Sequence, residues 1–298
     1  MVNLPLKNDL IMKFTRFIIL LSFFAIANGC SETIETDEVY IPEISQLGSE
    51  DMFDDEISSD YDFIPPSTLQ VAAIFKKSGL IYDSKFTNPI ERIDAYSTKL
   101  SQSLAFGVYS SDLAYSVIHE KYDEASGFLK TLRTLGGKIG LETIFNSSGL
   151  IERFEANVAN QDSIIDILIF LQENTDDYIE ENGKEDLSVI YYAGAWIEGI
   201  YMGANTVMKD QEKRVGVLIS EQMTFAEILV KGLTHVEEQN DDIADLTHDI
   251  QDLVDTYYNL ESVTALGEEA GYIDIALTKD EITLMSGKIV ELRESIVQ

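Results

Sequence analysis

The 298-residue sequence is poor in several things, and each shortage excludes something. It has one cysteine, so no disulfide can form within the chain and the fold must rest on its own core. Its 21 lysines and arginines face 53 aspartates and glutamates, a formal net charge of −32 at pH 7. Phosphate binding needs a basic footprint, so nucleic acid is excluded as a partner. The same balance disfavours direct contact with anionic lipid and favours solubility, cations or basic partners. The three histidines, His119, His235 and His248, show no HExxH spacing, and a closed zinc site wants His or Cys ligands. No metal or other cofactor is therefore expected. No GxSxG or Cys/His nucleophile arrangement is present, and Leu135-Gly136-Gly137-Lys138 lacks the rest of a phosphate loop. No catalytic residue is assigned, and an enzyme is the less favoured expectation.

What is present begins near the start. Lys13 and Arg16 give a positive segment, and residues 17–27 form an apolar run. Ala27 and Gly29 are small residues of the kind found before a cleavage site, which completes the pattern of a secretory signal over residues 1–29. Met12 is an alternative start. A membrane-spanning helix needs about 20 apolar residues, and this run is too short. Ala27, Asn28, Gly29 and Cys30 resemble a lipobox, the motif read by bacterial lipoprotein signal peptidase, with Ala27 where Leu is common. The resemblance implies that the Cys30 thiol carries a diacylglyceryl group and that Cys30 becomes the first residue. Each buried CH2 of such an anchor contributes about 0.8 kcal/mol. The expected location is the bacterial cell envelope, lipid-anchored, with the outer membrane favoured and the face left open.

Residues 30–66 read as a lipid-anchored acidic tether. Glu32, Glu35, Asp37 and Glu38 follow the cysteine, and Glu50, Asp51, Asp54, Asp55, Glu56, Asp60 and Asp62 continue the theme. Such a segment buries too little apolar surface to offset its ordering entropy. It lacks the glycine and glutamate register of an EF-hand loop. The acidic residues after Cys30 resemble the signal that sends lipoproteins of Bacteroidetes-type bacteria to the outer face. Pro65-Pro66, two of only five prolines, mark the boundary.

Residues 67–298 read as one all-α domain. A short helix is expected at residues 69–77. Asn88-Pro89-Ile90-Glu91 has the form of a helix start, with a helix running to about residue 121 and a possible break at Gly107. Further helices are expected at 124–135, stopped by Gly136-Gly137, at 141–145 and at 150–159. The next begins under Asn160 or Asp162 and ends at Gly183; others span 185–208 and 211–236. Ile243, Leu246, Ile250, Leu253, Tyr257 and Leu260 form a heptad over 241–260. Thr278-Lys279-Asp280-Glu281 is a capping box opening the last helix. Residues 271–277 read as extended. Short connections favour an irregular multi-helix bundle or an array of helix pairs, and no clean 34-residue repeat of the TPR kind is visible.

Two helical stretches are almost free of charge. Residues 100–118 hold only Asp112, and residues 187–208 only Glu198. A helix without a charged face is usually central, and the polar residues in 187–208 argue against a membrane span. A lone carboxylate in such a helix is either satisfied by neighbours or placed for function. Tyr109, Asp112, Tyr115, Glu198 and Tyr201 are the candidate polar pocket. A second acidic group, Asp241, Asp245, Asp249 and Asp252 beside His248, lies opposite the heptad and reads as a solvated face.

The stretches 107–115, 160–163 and 193–205, with Trp196-Ile197-Glu198-Gly199, resemble an uncharacterised family of all-helical lipoproteins and secreted proteins from Bacteroidetes-type bacteria. The resemblance implies lineage and export and carries no activity. The leading expectation is a lipid-anchored binding or scaffold module at the envelope, with the membrane and a protein as partners. The alternative is an envelope enzyme, metal-assisted, using the buried carboxylates of the central helices.

Overall fold

The structure is a computed structural model, and it describes residues 82–147, 149–205, 212–265 and 275–298. All of these fall within one compact unit, Glu43–Gln298. The expected signal, tether, Cys30 and first short helix lie outside the described residues. Among the described residues there is no strand, and the all-α class holds.

The described residues open with two short 3-10 turns, Ser84–Phe86 and Ile90–Asp94, here called the entry segment. Ten helices follow among the described residues: α1 Lys99–Ile118, α2 Tyr122–Ile139, α3 Glu142–Ser147, α4 Leu150–Ala156, α5 Gln161–Glu181, α6 Glu185–Asn205, α7 Glu212–His235, α8 Asp241–Tyr258, α9 Glu261–Thr264 and α10 Lys279–Val297. The long helix expected from Asn88 is thus split. Asn88 does not cap: its side chain is buried and bonded to the Tyr96 hydroxyl. The true start is Thr98, whose hydroxyl accepts from the Ser101 N–H while the Ser101 hydroxyl accepts from the Thr98 N–H. This reciprocal pair satisfies two donors that the first helical turn leaves free.

Two glycine expectations also change, for a packing reason. Gly107 does not break α1. A Cβ there would lie 1.7 Å from the Tyr191 carbonyl oxygen, and a Cβ at Gly194 would lie 2.1 Å from that of Leu104. The two glycines therefore let the backbones of α1 and α6 touch, and the Ser111 hydroxyl donates to the Ala195 carbonyl at 2.7 Å across that contact. Gly136-Gly137 does not stop α2, because Gly136 lies under the Phe145 ring. The stop comes at Gly140, whose φ of 87° suits a residue without a side chain.

Helix α6 is the centre. It packs most extensively on α1, and also on α10, α7 and α5. Helix α2 covers α1, while α8 joins α7 and α10 into the rest of the bundle. Trp196 is buried between α6 and α7, with its indole N–H donating to Gln222 Oε1 at 3.1 Å. The heptad on α8 buries Ile243, Leu246, Ile250, Leu253 and Tyr257 as the spacing requires. Helix α10 opens on the expected capping box at Thr278 and Glu281. No helix among the described residues is long and apolar enough to cross a membrane.

Candidate functional site

The two lone carboxylates are both completely buried, and their environments differ. Glu198 comes from the middle of α6. Its two oxygens accept from Arg293 Nε at 2.9 Å and Nη2 at 3.1 Å, a bidentate pair reaching in from α10. The Arg293 guanidinium also lies 4.7 Å over the Tyr201 ring, and Phe86 packs edge-on against Tyr201. Burial pushes the Glu198 carboxyl up, and the hydrogen bonds and charge of Arg293 pull against it. Burial weakens Arg293 as a cation, but Glu198 more than restores it. Breaking such a pair strands a charge where water cannot reach it.

Asp112 comes from α1. Its Oδ2 accepts from the Asn88 backbone N–H at 3.1 Å, and its Oδ1 has no partner. Burial raises its carboxyl well above the usual range, and the Glu198 charge adds to the rise. The Asn88 N–H and Arg293 oppose it. Asn88 is itself fully buried: its Nδ2 donates to the Tyr96 hydroxyl at 2.7 Å, and its Oδ1 is also without a partner.

Tyr109 and Tyr115 have another task. The Tyr109 hydroxyl donates to the Pro89 carbonyl at 2.8 Å, and the Tyr115 hydroxyl accepts from the Asp83 N–H at 3.0 Å. With Asp112 on the Asn88 N–H, three side chains at steps of three along α1 hold the backbone of the entry segment. That segment has little regular structure, so its polar backbone groups need side-chain partners. Tyr82 stacks on Tyr115 at 4.9 Å and its hydroxyl donates to Glu124 of α2, which fastens the start of the segment. Burial raises the phenols of Tyr109, Tyr115 and Tyr201, so all three are neutral donors or acceptors at physiological pH.

The structure therefore brings Asp112, Glu198 and Tyr201 together around Arg293 and turns Tyr109 and Tyr115 toward the entry segment. Sequence reasoning missed Arg293, Asn88 and Tyr96. A signal for Arg293 was available: it stands four residues after Ile289 and three before Ile296, in the apolar register of α10. A cation at a core position calls for a buried anion. Asn88 carried no such signal, because an Asn before a Pro reads as a cap.

The acidic group on α8 is exposed throughout, and Asp252 pairs with Lys288 of α10. Among the described residues no three His, Cys, Asp or Glu side chains are grouped to hold a metal ion. A surface groove of about 470 Å³ runs along α2, α3 and α4, lined by Lys130, Arg133, Thr134, Glu142, Asn146 and Ile151. Its cations are engaged, Lys130 by Glu155 and Arg133 by Asn146. None of the candidate residues lines it.

Compared with protein-family models, with curated proteins and with solved structures, the chain matches none.

Proposed function

We propose that this chain is a lipid-anchored binding or scaffold module of the bacterial cell envelope, tethered through Cys30 and working through the outer surface of its helical domain. The observation that supports binding over catalysis is the Glu198–Arg293 pair. Both carboxylate oxygens are occupied by a guanidinium that is itself stacked on Tyr201. A carboxylate held in that way is a structural tie. Tyr109 and Tyr115 are likewise used to fasten backbone. The polar centre thus fixes the positions of α1, α6 and α10, and a partner would meet the surface they support.

The test has two parts. Cys30→Ser should move the protein from the membrane fraction to the soluble envelope fraction; retention at the membrane would sink the anchor. Cross-linking of the anchored protein in cells, followed by mass spectrometry, should return one reproducible protein partner. A second reading, an envelope enzyme using buried carboxylates, draws on the free Oδ1 of Asp112. Turnover abolished by Asp112→Asn in a folded protein would favour it.

A further inference from the structure

We propose that Asp112 is a proton-binding site: it is held as a neutral carboxylic acid at neutral pH, with its proton donated from Oδ1 to Asn88 Oδ1. Two polar atoms here are orphans. Asp112 Oδ1 and Asn88 Oδ1 are buried, and each lacks a hydrogen-bond partner. Their residues already touch, through the Asn88 N–H on Asp112 Oδ2. Both orphans are acceptors when Asp112 is ionised, and two acceptors cannot satisfy each other. One proton on Asp112 turns one of them into a donor and satisfies both.

The charges point the same way. Asp112 and Glu198 are fully buried, and among the described residues one guanidinium, Arg293, serves them. Arg293 commits both of its bonds to Glu198. If Asp112 were ionised, the centre would hold one uncompensated negative charge out of contact with water, which is costly. One added positive charge removes the deficit, and a proton needs no cage of ligands. Of the groups around Asp112, Glu198 on α6 opposes ionisation and Arg293 on α10 favours it. Tyr109 and Tyr115 on its own helix and Tyr201 on α6 are neutral. Arg92 in the entry segment acts on Tyr96 and Tyr109. Helix α2 meets Tyr109 with Phe128, and α5 flanks α1 with Leu168, Leu171, Gln172 and Thr175, all uncharged. Burial together with Glu198 raises the Asp112 carboxyl well above the usual range.

The linkage has a definite sign. The folded chain keeps a proton that the unfolded chain releases near pH 4 or so. Between that pH and the folded titration, the folded-to-unfolded ratio falls tenfold for each unit of rising pH on account of this group. The folded state is thus favoured by acid and weakened by base on account of this group.

The direct test is carbon-13 NMR of the Asp112 side-chain carboxyl in the full chain, assigned through its own backbone amide, from pH 5 to 9. The expected result is a protonated shift at pH 7. The second measurement is chemical denaturation of wild type and Asp112→Asn over the same range. The carboxamide reproduces one donor and one acceptor, so the variant should fold, and the wild type should lose stability against it by tenfold per pH unit up to the pH at which its folded carboxyl titrates. An ionised carboxylate at pH 7 would overturn the proposal; the Asn88 amide would then be rotated to offer Nδ2 to Asp112. Stability that rises with sodium, potassium or calcium chloride at constant ionic strength, and loses that rise in Asp112→Asn, would also overturn it, by showing a bound metal cation in the proton's place.

Discussion

The two ends of α10 handle carboxylates in opposite ways. At its N-terminus Glu281 sits near the surface and collects four hydrogen bonds, two from Thr278 and two from Ser262 of α9. Burial alone would raise it, and is the largest single influence, but these bonds together outweigh it and hold it at about 2. Near its C-terminus Arg293 reaches into the centre for Glu198, beside an Asp112 whose carboxyl is pushed far up. At the surface, donors and water make the anion easy to keep. In the centre only a full opposite charge or a proton will do. One helix therefore carries a strong anion that fastens α9 to α10 and a buried ion pair that fastens α10 to α6.

The contrast can be broken from its larger end. Arg293→Met should cost about 3–5 kcal/mol in denaturant unfolding, because it leaves Glu198 buried and unpaired. Gly107→Ala comes next, at about 3 kcal/mol, since its methyl must displace the Tyr191 carbonyl and part α1 from α6; the same assay reads it, and a near-neutral effect would refute the close contact. Glu281→Gln should cost about 1 kcal/mol, as for other lost caps. It should also flatten one part of the acid profile. The folded carboxyl titrates lower than the unfolded one, so its contribution is present above about pH 4 or so and is lost as pH falls toward 2. Lys288→Ala should change stability by less than about 1 kcal/mol, because its pair with Asp252 joins a half-buried lysine to an exposed carboxylate that water still reaches.

The same contrast explains what the sequence made legible. Helices with a clear apolar stripe and a polar cap could be read directly: α5 under Asn160, α8 with its heptad, α10 under Thr278. Those signals are local, a matter of spacing and of the first turn. The near absence of charge in α1 and α6 also identified them as central and singled out Asp112 and Glu198. What spacing could not supply was distance across the bundle. Gly107 and Gly136 look like breakers until the neighbouring Tyr191 backbone and Phe145 ring are in place. Asn88 looks like a cap until Tyr96 and Asp112 claim it. Arg293 lies far from Glu198 in sequence, and only the fold joins them.

Glu198 and Arg293 exist for each other, as the tie between α6 and α10. A double-mutant cycle of Glu198→Leu and Arg293→Met, followed by denaturant unfolding, tests it most directly. Each single variant should lose several kcal/mol, and the double variant should lose about 2–3 kcal/mol less than the sum of the two. Losses that simply add, to within about 0.5 kcal/mol, would contradict it.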